Sequence, residues 1–426
     1  MKKILAMLLA VVMVFGLVAC GSSEPTATKA PANNQGEGNK PNPEAPVELE
    51  IKVWTPAEDQ AEGNNWLTKM EENFAKAHPE YKITWVNETQ SEGEAAGLIS
   101  GDVTASADVF MFANDQLGTL INAGGLSKLG GSFETQVKND NSDFMINSVT
   151  HTDGGIYAFP VTSNTWFMYY NKDVFGDDVA SLDQMLTKGK VCLPYNVGWN
   201  AGCFFLGTGG TVFGAAGNDA AAGIQFGGEN GYTAAKKMIE LVSNPNVVIG
   251  GMDDGKLIDG SADAIFSGSW VAASLKSALG DKLGVAALPK FTADGKDYQM
   301  TALSGSKAVG VNPNSGSVAG KQAACTQFAA YLASEEAQME RYNMRGVVPA
   351  HKALQENETI KADPIAMAEI AVINNASVVQ SALPEMNNYW SPVETFAKNV
   401  AAGDITMDNY KDAVDQMMGQ LNASGL

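Results

Sequence analysis

From Leu49 onward the chain switches between two periods of apolar residues. Leu49, Ile51 and Val53 alternate with Glu48, Glu50 and Lys52, the two-residue period of a strand with one buried face, ending at Trp54. Trp66, Leu67, Met70 and Phe74 then follow helical spacing as far as His78-Pro79, where proline drives the preceding residue out of helical geometry. Tyr81, Ile83 and Trp85 alternate again, which assigns Trp85 to a core and leaves Trp66 open between helix packing and a cleft. Val109-Phe110-Met111-Phe112 has no polar position, the pattern of a strand covered on both faces in a parallel sheet. Further strands are expected at Val191-Cys192-Leu193 and Ala264-Ile265-Phe266, with a helix starting near Trp270. Near the C-terminus Met407, Tyr410, Val414, Met417 and Leu421 share one helical face. Strands alternating with helices predict an α/β architecture of mostly parallel sheets.

The first 47 residues break this rhythm. Lys2 and Lys3 precede an apolar run from Ile4 to Val18 that leads into Ala19-Cys20-Gly21, the order of a cleavable export signal. The run falls short of the about 20 apolar residues that cross roughly 30 Å of hydrocarbon. Residues 21–47 are rich in Pro, Ser, Gly and Asn and nearly devoid of large apolar side chains. Such a segment cannot bury enough surface to offset its ordering entropy, and reads as a flexible tether with a reach of about 30 Å.

Composition narrows the partners. The chain carries 28 basic and 48 acidic side chains, a net charge of −20, so no basic surplus is left to neutralise phosphates and nucleic acid is excluded. An acidic surface also repels anionic headgroups, which leaves any membrane attachment to the N-terminus. With 45% hydrophobic residues in 426, two or three cores of roughly 100 to 200 residues each are within reach. Apart from Cys20, Cys192 and Cys203 either bridge or lie buried as separate thiols, since spacing alone fixes no disulfide geometry. Cys325 reads as a small hydrophobe on a helix face.

In open α/β sheets, ligands gather beyond the carboxyl ends of the strands. Trp54 and Glu58-Asp59-Gln60 follow the first strand, and Asn114-Asp115-Gln116 follow the apolar one. Trp199 follows the strand at 191–193, and Ser267-Gly268-Ser269-Trp270 close the strand at 264–266. Indole rings beside planar polar side chains suit a pyranose, whose C–H face stacks on the ring while its hydroxyls meet carboxylates and amides. A free amino acid or peptide would call for a cation at one of these ends, and none carries one. Trp54, Trp199, Trp270 and Trp390 are therefore read as cleft residues. Catalytic signatures are missing: the chain has no Gly-x-Ser-x-Gly, no His-Glu-x-x-His and no P-loop. A glycoside hydrolase would have to pair two carboxyls, from Glu92, Asp115 or Glu385, about 5 to 9.5 Å apart, and the sequence brings no two of them together. His78, His151 and His351 are scattered and read as surface or loop residues. Neither a metal nor a cofactor is called for.

Leu17-Val18-Ala19-Cys20 resembles the lipobox of bacterial lipoproteins. The resemblance implies cleavage before Cys20, a lipid on Cys20, and anchorage to the outer face of the cytoplasmic membrane, in the Gram-positive manner. A second resemblance is carried by several stretches. They are Ile51-Lys52-Val53-Trp54 with Glu58-Asp59-Gln60, the run Ala107 to Gly118, and Ile156-Tyr157-Ala158-Phe159-Pro160-Val161 leading through Asn164 to Tyr170-Asn171-Lys172-Asp173. To these add Gly260 to Trp270, Arg345-Gly346-Val347-Val348-Pro349-Ala350, and Leu383-Pro384-Glu385-Met386 with Tyr389-Trp390. On these stretches the chain from Leu49 to Leu426 resembles the extracellular solute-binding proteins of ABC sugar importers, nearest to the maltose/maltodextrin branch.

That resemblance implies a two-lobe binding-protein fold of type II, each lobe a mostly parallel sheet flanked by helices, with a hinge between them. Residues 1–19 would be the signal peptide and 20–47 the lipidated cysteine and tether. Residues 48–161 plus 306–362 would form lobe one, and 162–305 plus 363–426 lobe two. It further implies a monomeric, non-enzymatic receptor that holds maltose or maltooligosaccharides in the interlobe cleft and delivers them to the permease subunits of an ABC transporter. Carried across residue by residue, Asp115 matches a carboxylate that accepts from sugar hydroxyls, and Trp270 and Trp390 match rings that stack on successive glucose units. Trp199 falls where the family has another stacking aromatic. The turn Ser91-Glu92-Gly93-Glu94 resembles one in Gram-positive maltodextrin binders, which adds Glu92 to the polar contacts, and Glu385 joins them from its own stretch. Gln116 stands where the enteric binders have arginine, and Asn164 where they have glutamate, departures that bear on sugar preference and chain length. The competing readings are a receptor for a xylo- or galacto-oligosaccharide, an anchored glycoside hydrolase and an adhesin.

Overall fold

The computed structural model describes residues 45–423 except Asn64 and Ser317. The export segment 1–19, Cys20 and the tether up to residue 44 lie outside the described residues.

In chain order the strands are β1 (Val47–Thr55), β2 (Tyr81–Thr89), β3 (Val109–Ala113), β4 (Phe159–Asn164), β5 (Phe167–Asn171), β6 (Val191–Leu193), β7 (Thr211–Val212) and β8 (Ile224–Gln225). They continue as β9 (Val247–Ile249), β10 (Ala264–Ser267), β11 (Leu283–Ala286), β12 (Lys290–Ala293), β13 (Lys296–Gln299), β14 (Ala302–Val311) and β15 (Ser377–Val379). One sheet runs β15-β14-β3-β1-β2 with β4 added on β14, and a second runs β11-β5-β10-β6-β9. Both are mixed, with most strands running one way: β1, β2, β3 and β4 in the first sheet, and β6, β9, β10 and β11 in the second. Parallel pairing holds where strand, helix and strand follow in turn, as in β1 with β2 and β3, and β6 with β9 and β10. Antiparallel pairs form where the chain returns from the other sheet, as β14 does against β3 and β4, and β5 against β10 and β11.

Each sheet has its own core. Leu49 to Val161 and Ala308 to Ala337 supply the first, Trp166 to Leu303 and Ile365 to Leu421 the second. Three stretches of chain pass between them: the link from Val161 to Trp166, strand β14, and the segment reaching Ile365. β14 contributes Ala302 and Leu303 to one core and Ala308, Val309 and Val311 to the other. Where the crossings meet, the buried side chains are small and hydroxylated. Thr165 pairs with Ser304 at 2.5 Å and Ser148 with Ser306 at 2.6 Å. Asn114 locks this seam: its amide donates to the Gln380 carbonyl at 2.9 Å and its carbonyl accepts from the Ser306 amide at 3.1 Å. Gly305 is required there, because a Cβ would lie 1.9 Å from Asn114 Oδ1.

Several expectations change on contact with the fold. Trp66 resolves as core, fully buried with its indole N–H on the Ala337 carbonyl. Trp85 is half-buried, its ring 4.5 Å from that of Phe328. Met407 is exposed, because the last helix, Tyr410–Leu421, begins after it. His351 lies in a loop, capping the start of a short helix, but is buried there. Cys192 and Cys203 are buried free thiols and no bridge joins them, each packing as a hydrophobe in the second core. Burial pushes the Cys192 thiol up to about 11, which leaves it un-ionised near neutral pH. No helix among the described residues is long and apolar enough to cross a membrane.

The helix Trp66–Ala77 buries a carboxyl, Glu71, on the same face as Trp66, Leu67, Met70 and Phe74. Loss of water raises it to about 7, a hydrogen bond from Asn87 offsetting only part of the rise. The folded chain therefore holds a proton that the unfolded chain releases above about pH 4.5. The stability from this group is fully present below that pH and is lost as pH rises through about 7. Replacing Glu71→Gln should make the protein about 2 to 3 kcal/mol more stable at pH 8, with little change at pH 5. Urea unfolding at both values checks this, and an unchanged difference between them contradicts it.

Candidate functional site

A cleft of about 580 Å³ opens where the crossings meet, walled by both sheets' loops and helices. From the first core come Glu58 and Glu92, in the loops after β1 and β2, Lys307 on β14, and Arg341 and Arg345 on the helix Glu335–Arg345. From the second come Ser269, Trp270 and Lys276, after β10, and Glu369 on the helix Pro364–Asn375. Thr162, Ser163 and Asn164 of β4 line the floor between them.

Beneath the floor lies a buried ionic cluster. Arg341 is 2% exposed and forks onto fully buried Asp59, Nε donating to Oδ1 at 2.9 Å and Nη2 to Oδ2 at 2.8 Å. Its third arm donates to Thr162 Oγ1 at 2.6 Å, and Arg345 donates to Asp59 Oδ1 at 2.5 Å. The guanidinium also lies over the Trp66 ring, 5.4 Å from its centre. Glu92 extends the cluster, 3.8 Å from Arg341 and 3.3 Å from Lys307. A planar fork is the cation suited to such burial, because it satisfies a carboxylate with two parallel bonds.

Trp270 stands out on the opposite wall. It is 56% exposed, a large indole left open at the mouth of a polar cleft. Its ring folds back over Gly268, where a Cβ would lie 1.9 Å from it. The Gly-Ser-Trp turn after β10 thus needs its glycine to set the ring's angle. Trp199 is half-buried and stacks on Trp270, with centroids 6.3 Å apart and planes 22° from parallel. Gly198, beside it, packs against the backbone carbonyl of Trp390, 2.7 Å from where a Cβ would sit. The segment carrying Trp199 therefore links Trp270 to the helix of Trp390, which meets Tyr389 edge-on at 5.0 Å.

The candidates from sequence divide accordingly. Glu58, Glu92, Asn164 and Trp270 share the cleft wall, with Trp199 stacked behind Trp270. Asp115 is half-buried, and its Oδ1 is enclosed without a partner among the described residues. Burial raises it to about 6. Glu385 is exposed on the short turn Pro384–Met386. Five other candidates have side chains that make internal bonds. Trp54 is buried with its indole N–H on Glu88 at 2.7 Å. Asp59 is held by two arginines, and Gln60 donates back to Thr55 and to the Glu88 carbonyl. Asn114 closes the seam described above, and Gln116 accepts from the Ala96 amide at 2.7 Å.

Sequence reasoning missed Lys307, Arg341, Arg345 and Glu369. No cation stands directly at those strand ends, yet four line the cleft, Lys276, Lys307, Arg341 and Arg345, the last three facing carboxylates. A signal did exist for Glu369, the single charge in the apolar helix sequence PIAMAEIAVINN.

Residues 69–368 match the family described as bacterial extracellular solute-binding protein. A galactooligosaccharide-binding protein of Bacillus subtilis (strain 168) is 25% identical over 99% of this chain and 98% of its own length. A maltooligosaccharide ABC transporter solute-binding lipoprotein of Streptococcus pneumoniae (strain ATCC BAA-255 / R6) is 27% identical over 82% of this chain and 87% of its own. A solved structure described as being with acarbose is 43% identical and superposes with a TM-score of 0.80, over 88% of this chain and 98% of that one.

Asp59→Ala would leave the buried Arg341 guanidinium and the half-buried Arg345 with only Glu92 and Glu58, 3.8 and 3.9 Å away, as counter-charges. Breaking one partner of such a pair costs about 3 to 5 kcal/mol. Urea unfolding of the ligand-free protein should show a loss of that size, and a loss below about 1 kcal/mol would mean the cluster is effectively hydrated.

Proposed function

Since the chain belongs to the bacterial extracellular solute-binding protein family, we propose that it is a receptor that captures maltose and maltooligosaccharides in the cleft between its two lobes and delivers them to an ABC permease. The observation that carries the ligand class is Trp270, an exposed indole facing carboxylates and an amide across a cleft of about 580 Å³. A pyranose laid on that ring buries its C–H face, while Glu92 and Asn164 offer partners to its hydroxyls. Asp115, with one enclosed oxygen lacking a partner among the described residues, is a further proposed acceptor, with Trp199, stacked on Trp270, and with Trp390 and Glu385. The α-glucan assignment is supported by the relative named for maltooligosaccharide and by the similar structure described with acarbose.

The lobes are taken as 48–161 plus 306–362 and 162–305 plus 363–426, a division supported by the two cores and the three crossings between them. Ligand touching both lobes stabilises the closed arrangement, because only differential contact shifts a two-state equilibrium. The permease would read that closed shape. Anchorage through a lipid on Cys20, with the tether of 20–47 above the membrane, is supported by the name of the Streptococcus relative, a lipoprotein. The receptor would act as a monomer and release its sugar uncleaved. A galactooligosaccharide is the second reading, favoured by the Bacillus relative that matches 99% of this chain.

Calorimetric titration at pH 6 with maltose, maltotriose, maltotetraose and a galactooligosaccharide tests the proposal. Saturable binding of the α-glucans without glucose release is the expected result. Trp270→Ala should weaken it by about 1.4 to 2.8 kcal/mol, roughly 10- to 100-fold. Heat from the galactooligosaccharide alone would overturn the substrate, and continuing turnover would overturn the receptor.

A further inference from the structure

Glu369 sits at the seam between the two lobes. Its helix, Pro364–Asn375, packs on β5 and β11 of the second sheet, and the side chain is 1% exposed. Its Oε1 accepts the hydroxyl of Ser163 at 2.6 Å. Ser163 lies on β4, which pairs with β14 of the first sheet, and its amide donates to the Val348 carbonyl. The Oε2 atom is enclosed without a hydrogen-bond partner among the described residues. Glu369 also lines the cleft, on the same wall as Ser269 and Trp270.

Other groups face it from each neighbouring element. Lys307 comes from β14 and Asp363 from the start of the same helix, while the Ser269 hydroxyl comes from the turn that carries Trp270. Tyr169 of β5 feels both Glu369 and Asp363. Of the remaining cleft cations, Arg341 and Arg345 are held by Asp59, and Lys307 itself is shared with Glu92. The carboxyl therefore has one short bond from Ser163, the Ser269 hydroxyl and a shared cation beside it, and an enclosed Oε2 with no partner at hydrogen-bond distance among the described residues.

We infer that Glu369 is a positioning residue that couples closure of the cleft over its ligand to the uptake of a proton. The inference rests on the sugar-receptor reading for the identity of the ligand. Burial already raises this carboxyl to about 7, against the pull of Ser163, Ser269 and Lys307. Near neutral pH both charge states are populated. A ligand seated against Trp270 displaces cleft water, and removing water disfavours the charged form further. The proton enters on Oε2, the oxygen without a partner, while Oε1 continues to accept from Ser163. The neutral side chain then holds the Ser269–Trp270 turn and β4 together without a buried unpaired charge. By reciprocity, lower pH must strengthen sugar binding as much as sugar binding raises proton affinity.

The test is calorimetry of the full chain with maltotriose at pH 7 in phosphate and in Tris, buffers of different ionisation enthalpy, followed by affinity at pH 6 and 8. Binding heats should differ between the buffers in the sense of proton uptake, and affinity should weaken roughly three- to ten-fold from pH 6 to pH 8. Glu369→Gln should lose the proton uptake and no longer weaken from pH 6 to pH 8. Ser163→Ala, which keeps the carboxyl but removes its donor, should move the midpoint of the affinity profile to higher pH. Buffer-independent heats in the parent protein, or the same proton uptake in Glu369→Gln, would overturn the coupling, as would an unmoved midpoint in Ser163→Ala. Asp115, raised only to about 6, accepts from sugar hydroxyls and would release rather than take up protons, so its sign separates it. Binding without proton uptake sinks the coupling alone. No binding of any α-glucan at pH 6 sinks the receptor reading, and the coupling falls with it.

Discussion

The pairing of Asp59 with Arg341 is the constraint on which the rest of the cleft depends. The two residues lie 282 positions apart in sequence, one in the loop after β1 and the other late in the chain. Their bond pins that loop to the helix Glu335–Arg345, and through Thr162 to the strand that leaves the first lobe. A buried ion pair is weak evidence of net stabilisation, since a hydrophobic replacement can be as stable. Its consequence here is positional. With both arms of the fork used, the loop bearing Glu58 has one place to go, and Glu92 is drawn to the same spot by Arg341 and Lys307.

A rigid polar wall formed this way faces a more open aromatic one. Trp270 projects from a turn whose angle is fixed by Gly268, and Trp199 backs it. The two walls belong to different cores, and the three crossings between those cores carry serine, threonine and asparagine. Small hydroxyl side chains let those strands pack closely and still satisfy one another. The cleft floor and the crossings between the cores therefore share residues: Ser163 is at once a crossing residue, part of the cleft floor and the partner of Glu369.

What the sequence disclosed, it disclosed through local pattern. Alternation at Leu49–Val53 and the apolar run Val109–Phe112 located β1 and β3, and the turn after Ala264–Phe266 located Trp270. Strand-end position, however, does not say whether a polar side chain points into a cleft or back into the fold. Asp59, Gln60 and Asn114 follow strands as a ligand site requires, yet each meets an internal partner that only the assembled chain brings near. The same limit hid Arg341, whose role depends on a carboxylate at the other end of the sequence. The antiparallel strands were hidden for a related reason. A parallel sheet is read from successive strand–helix units, whereas β14 and β5 reach their neighbours by crossing from the other lobe.

The physical account makes one claim above the others: that a glucan lies between an exposed indole and a fixed polar wall, touching both lobes. A crystal structure of the protein grown with maltotriose tests it directly. The account predicts a pyranose face on Trp270, hydroxyls directed at Glu92 and Asn164, and the two lobes closed over the sugar. A saturated crystal with the sugar bound to one lobe only, or away from Trp270, would contradict it.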